Sequence, residues 1–261
     1  MTEVISRQLV DRIDGKRDIE ETAGRDRPER WRCRAMSDGD EVARRLVPAG
    51  TPIGPALAIP IGRANDVLRD VLFAIDAVHG DGRLPPIRVV RRVLPPGEEG
   101  FYEPSIGEIV VSRSASAPAL TLLHEIGHVL DRHGLGDGDI LGSSGDTVLS
   151  SWRSSVDATW SIAALDRLIG TQPSSRFVAH LAYLRQYDEL WARSYTQYVV
   201  SRRDRSPLVD ALHRRRRRAI GRVNVPYYWG AEDFRPVAHA IDDAFRRRGW
   251  IQQPSASQST S

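Results

Sequence analysis

Two histidines flank a glutamate in the segment LTLLHEIGHVLD, at His124, Glu125 and His128. On an α-helix, residues four apart lie about 40° from each other around the axis, so both imidazoles face one point and can bind one metal ion. Glu125 is rotated by about 100° from His124, which is too far to bind the same ion but close enough to reach a water bound to it. The spacing predicts a zinc site at which Glu125 is the general base.

The alternative is a buried helix whose histidines are structural. At the His and Glu frequencies of this chain, H-E-x-x-H would arise by chance in roughly one chain in a hundred. Gly127 is expected to leave the helix surface open beside His128. The other faces of the segment are apolar, as a buried helix requires; they carry Leu122, Leu123, Ile126, Val129 and Leu130.

A zinc ion needs a third protein ligand. The metzincin pattern places a glycine three residues after the second histidine and a third histidine three residues further on. Those positions hold Asp131 and Gly134, and His133 is one residue out of frame, so this pattern is excluded. In a site of two histidines and one carboxylate, the third ligand comes from a later helix. The downstream candidates are Asp157, Asp166, His180, Asp188, Glu189 and His213.

Composition limits the kind of protein that carries this motif. The 261 residues are 41% hydrophobic and 27% charged, which is typical of a globular chain with a real core. The single cysteine, Cys33, excludes a cysteine-rich zinc cluster. No signal peptide and no apolar run near the roughly 18 residues of a membrane helix is visible. We therefore expect no membrane partner, and a cytoplasmic protein or one exported by a route that the sequence does not reveal.

Local patterns predict the elements that position the motif. Residues 64–80 have the apolar period of a core helix, and IRVVRRVL (87–94) and GEIVVS (107–112) read as a pair of strands joined by a turn. Ser116 with Pro118 is expected to open the motif helix, and Gly134 to end it. Helical patterns dominate from there to residue 250. The predicted fold is α+β, mainly helical, with a small sheet packed against the motif helix.

A second segment, YLRQYDELWARSYTQYV (183–199), resembles the glutamate-bearing helix E-[LF]-[FW]-A-[RE]-x-[FY] of zincin metallopeptidases. The resemblance is to the branch of the anthrax lethal factor protease domain and the pro-pro endopeptidases, and to predicted phage-head-associated metallopeptidases. It also covers HEIGHVLD, GEIVVS and, loosely, YYWGAEDFRPVAHAIDDAFRRRGW (227–250). Residues 1–50 are polar and lack strong periodicity, which predicts an N-terminal arm, and residues 251–261 are predicted to be a disordered tail. The zincin-like domain would span 51–250.

The resemblance also implies roles for particular residues. Glu189 would be the third zinc ligand, and Tyr183 would stabilise the oxyanion, although Tyr187 is close enough to compete for that role. Asp131 would either orient an imidazole or cap the helix end. Substrate would lie extended along an edge strand, for which GEIVVS is the candidate.

The sequence therefore predicts a zinc-dependent endopeptidase that acts on a peptide or protein. The alternative is a non-catalytic binding or structural module of phage origin that zinc stabilises. Structural zinc sites are closed by four protein ligands, and no cysteine or further histidine is placed to close this one, which favours catalysis. The run Arg214 to Arg218 is expected to be a solvated face rather than a nucleic-acid site. GDGD (136–139) lacks the remaining ligands of a calcium loop.

Overall fold

The computed structural model describes residues 57–58, 71, 74–75, 77–79, 87–136, 140–145, 148–171, 175–203, 206–216, 219–220 and 223–251. The predicted N-terminal arm lies outside these residues, as do the tail beyond residue 251, most of GDGD and the last two arginines of the arginine run. Of the predicted helix over 64–80, Val71, Ala74 and Ile75 are described as helical and are buried.

Four strands form one mixed sheet in the order β1-β2-β4-β3. Strands β1 (Leu57–Ala58), β2 (Ile87–Arg92) and β4 (Glu108–Ser112) run parallel, and β3 (Gly100–Glu103) is antiparallel to β4. The predicted strands IRVVRRVL and GEIVVS are thereby confirmed as neighbours in one sheet.

The segment between them, expected to be only a turn, contains β3. It forms a hairpin with β4 in which Gly107 has a φ of 60°, a conformation that favours glycine. Strand β4 therefore lies between β2 and β3, and the prediction that GEIVVS is the edge strand is wrong. Among the described strands, β3 pairs only with β4 and forms that edge.

The motif helix α1 spans Pro118–Val129 and continues as a π-helical turn over Leu130–Leu135. Ala117 rather than Ser116 precedes the first turn, and the Ser116 hydroxyl donates to Glu99 at 2.8 Å, so the predicted cap is wrong. The chain also remains helical past Gly134, which lies inside the π turn. A Cβ at that position would lie 2.3 Å from Cη2 of Trp250, so the indole requires a glycine there.

The remaining helices confirm a mainly helical α+β fold. A short hairpin of β5 (Ala219–Ile220) and β6 (Val223–Asn224) precedes the last helix. No helix among the described residues is both long and apolar enough to cross a membrane. The helices are α2 (Ser150–Asp157), α3 (Trp160–Thr171), α4 (Ser175–Leu184), α5 (Tyr187–Ser201), α6 (Pro207–Arg216) and α7 (Ala231–Arg247).

Helices α1 and α5 pack against each other at very close range in the centre of the core. A Cβ at Gly127 would lie 2.8 Å from Cα of Ala192, and the Trp191 indole N–H donates to the Gly127 carbonyl at 2.9 Å. The expectation that Gly127 leaves the helix surface open is therefore wrong. The missing side chain instead lets the backbone of α5 approach α1. Trp229 and Trp250 of the C-terminal segment are buried in the core as well.

Candidate metal centre

Three predicted ligands meet where α1 faces the start of α5. The Nε2 atoms of His124 and His128 are 3.2 Å apart. The Glu189 carboxylate lies 3.4 Å from Nε2 of His124 and 3.5 Å from Nε2 of His128. Among the described residues, no other group of three or more His, Cys, Asp or Glu side chains could hold a metal ion, and no fourth such residue joins this one.

The other downstream candidates do not belong to this group. Asp157 and Asp166 both pair with Arg185, at 2.9 and 3.0 Å. Nε2 of His180 lies 2.8 Å from the Tyr227 hydroxyl. Asp188 and His213 do not belong to the group either. The tertiary structure thus brings Glu189 into one group with the histidine pair, whereas Asp188 raises the pKa of His128 through its charge without joining the group.

The electrostatics of the group are those of a buried ion pair. Burial raises the pKa of Glu189, but the charges of His124 and His128 and their hydrogen bonds outweigh it and hold that pKa well below its usual range. Burial lowers the pKa of His128, yet hydrogen bonding and charge from Glu189 raise it to about 9. In the metal-free protein, a proton on His128 thus neutralises Glu189.

The donor set fits zinc. Two imidazole nitrogens and one carboxylate oxygen are the ligands of a familiar class of catalytic zinc sites, in which the fourth position is left to water or substrate. A divalent cation would replace the proton as partner of the buried carboxylate.

Glu125 lies beside this group without belonging to it. It is 3% exposed, and its Oε2 has no hydrogen-bond partner among the described residues. Burial raises its pKa, against the opposing charges of His124 and His128. A buried acceptor with no partner requires an explanation, and a bound water or substrate group would supply one.

The two tyrosines that competed for the oxyanion role are clearly separated. The Tyr183 hydroxyl donates to Oε1 of Glu189. The Tyr187 hydroxyl donates to Asp157 at 2.6 Å, away from the histidines. Only Tyr183 therefore has its hydroxyl at the metal group.

Asp131 holds the loop that follows the π turn. Its carboxylate oxygens accept hydrogen bonds from the Ser143 amide and hydroxyl, both at 2.6 Å, and its carbonyl accepts from the amides of Gly136 and Gly142. Burial raises its pKa to about 7, against the hydrogen bonds from Ser143. These contacts favour the predicted role of Asp131 at the helix end, because its carboxylate accepts hydrogen bonds from the loop residue Ser143 and not from an imidazole.

The outer edge of β3 runs beside Glu125. The Ser112 amide donates to the Glu99 carbonyl at 2.7 Å, and because ladder bonds alternate, the backbone groups of Gly100 and Tyr102 point away from β4. Hydrogen bonding from the Tyr102 backbone lowers the pKa of the Glu125 carboxyl. This edge strand was not predicted from the sequence, although the aromatic pair between Gly100 and Pro104 is typical of a short strand.

One member of the arginine run has a structural contact. Arg215 forms an ion pair with Glu99 and donates to the Ser116 hydroxyl at 3.2 Å, which ties α6 to the start of β3. Arg214 is exposed, as a solvated face requires.

Comparison with known proteins yields no match to a family model, to a curated protein or to a solved structure.

Proposed function

We propose that the protein is a zinc-dependent endopeptidase in which His124, His128 and Glu189 hold the metal. The observation that carries the proposal is the three-ligand group with the buried, unpartnered Oε2 of Glu125 beside it. The described residues offer three ligands and not four, which is the pattern of a catalytic rather than a structural zinc site. When bound, zinc supplies Lewis acidity and lowers the pKa of water towards about 7.

Glu125 would carry the proton through the reaction. Its carboxylate accepts the proton of the attacking water and then delivers it to the amine that leaves as the peptide bond breaks. A base works best when its pKa lies near the working pH, and burial shifts the pKa of Glu125 in that direction. Its unpartnered oxygen leaves an acceptor available for that water.

Tyr183 and β3 would position the substrate. The Tyr183 hydroxyl, which donates to Glu189 in the metal-free protein, would turn to the oxygen of the scissile carbonyl, on which negative charge develops. The backbone groups of Gly100 on the edge of β3 would pair with an extended peptide, as in other cases of strand addition. Strand β3 would thus have the substrate-binding role that the resemblance implied for GEIVVS.

The test separates binding from chemistry. Glu125→Gln should retain zinc and the fold, because it preserves shape, while hydrolysis falls by at least about 10²–10⁴-fold, because proton acceptance is lost. Cleavage of a mixed peptide library followed by mass spectrometry measures activity, and metal analysis measures zinc. Glu232→Gln, at an exposed side chain of α7, is the matched control and should cleave as the parent does.

Two outcomes would overturn the proposal in different ways. Full activity of Glu125→Gln would remove Glu125 from the mechanism. A parent that binds zinc tightly, loses stability when zinc is removed and cleaves no peptide of the library would favour the non-catalytic, zinc-stabilised module.

A further inference from the structure

Arg193 is a buried arginine whose hydrogen bonds all go to main-chain carbonyls. It lies on α5, one turn after Glu189, and is 4% exposed. Its Nε donates to the Glu189 carbonyl at 3.3 Å, and one terminal nitrogen donates to the Tyr227 carbonyl at 2.9 Å. The other terminal nitrogen donates to the carbonyl of Leu184. Charged side chains are rarely buried unless paired, so this arrangement requires a reason.

The three carbonyls belong to the segments that carry the site. Leu184 is the last residue of α4 and adjoins Tyr183, and its carbonyl has no partner within the helix. Glu189 is in the first turn of α5. Only two residues separate the helices, so one guanidinium fixes the end of the tyrosine-bearing helix against the start of the ligand-bearing helix.

The hydrogen bond from Arg193 to the Tyr227 carbonyl connects the guanidinium to a more distant segment of the chain. Tyr227 precedes α7, and its hydroxyl returns to His180 on α4 at 2.8 Å. The guanidinium carbon of Arg193 also lies 5.7 Å from the centre of the Trp229 ring. The planar fork of an arginine can donate in three directions at once, which the single ammonium of a lysine cannot do along the same lines.

We infer that Arg193 is a positioning residue that sets the backbone of Glu189, and with it the place of the carboxylate relative to Tyr183 and the two histidines. The inference rests on the proposed zinc site. Partners that orient a ligand from outside the coordination sphere typically change metal affinity by about 10–100-fold when they are removed.

The experiment measures zinc affinity of the full chain by competition with a chelator. Arg193→Met and Arg193→Lys should both bind zinc about 10–100-fold more weakly than the parent. Arg193→Lys retains the charge and most of the stem, and it decides the question if Arg193→Met does not fold. Arg202→Met is the control: Arg202 lies just beyond the end of α5 and pairs with Asp242, so its loss should leave zinc affinity unchanged.

A double-mutant comparison separates positioning from general loosening. If Arg193 acts through Glu189, then Arg193→Met should cause no further loss of zinc affinity in a Glu189→Ala background. A further loss there of the same size would overturn the inference, and so would parent-like affinity in both Arg193 variants. A parent that binds no zinc would overturn the metal site itself, and the inference with it.

Discussion

Zinc should compete with a proton for His128, and the competition gives a quantitative prediction. The pKa of this imidazole in the metal-free protein is about 9, because Glu189 raises it. At pH 7, two units lower, only about one molecule in 100 has the neutral imidazole that a metal needs. We expect zinc binding at pH 7 to release about one proton from His128. The apparent affinity should rise about 50-fold between pH 7 and pH 9, where half of the imidazole is neutral, and should level off at about 100-fold above its value at pH 7.

Two measurements check this. Titration calorimetry at pH 7 in buffers of different ionisation enthalpy counts the protons released, and chelator competition gives the affinity at each pH. Glu189→Gln is the control, because it removes the group that raises the pKa of His128, so its zinc affinity should be lower and nearly independent of pH in this range. A parent affinity that stays flat from pH 7 to pH 9, or an equal slope in Glu189→Gln, would refute the reasoning.

Three further predictions concern stability and catalysis. In urea unfolding of the metal-free protein, the free energy of unfolding should fall by up to about 3 kcal/mol as the pH rises from 6.5 to 9. The reason is that the pKa of His128 is higher in the folded than in the unfolded protein, so the folded protein loses this stabilising proton in that pH range. Gly127→Ala should lower the free energy of unfolding by about 1–3 kcal/mol by forcing α5 away, whereas Gly170→Ala, with open space around it, should raise it by up to about 1 kcal/mol. Tyr183→Phe should raise the barrier to cleavage by about 2.7–4 kcal/mol with little change in KM, whereas Tyr187→Phe should leave the barrier unchanged. Equal effects of the two substitutions on kcat would show that the Tyr183 hydroxyl is not the oxyanion donor.

Local geometry explains which parts of the site the sequence could predict. The meeting of His124 and His128 follows from the period of one helix, so their spacing alone predicts it. Glu189 is 61 positions beyond His128, and the residues alone left six candidates open; only the resemblance of its helix to a known ligand helix singled it out. The tertiary structure then separated Glu189 from Asp157 and Asp166, whose partner is Arg185.

Other features depend on pairing and packing that no local pattern records. Strand β3 has four residues inside a segment rich in glycine and proline, so its composition indicated a turn. Its position at the edge is decided by the hairpin with β4. The π turn and the carbonyl contacts of Arg193 have no sequence signature, since both arise from the way distant segments meet.

The close contact of Gly127 with Ala192 has an evolutionary consequence. Gly127 occupies one of the two variable positions of H-E-x-x-H, where the chemistry sets no requirement, but here the backbone of α5 occupies the space of a side chain. Positions 127 and 192 are 65 residues apart in the chain and share one small volume. We expect descendants of this sequence to enlarge either residue only when the other helix shifts or the other residue shrinks. In the two helices that carry the candidate ligands, substitutions at positions 127 and 192 should therefore be correlated and not independent.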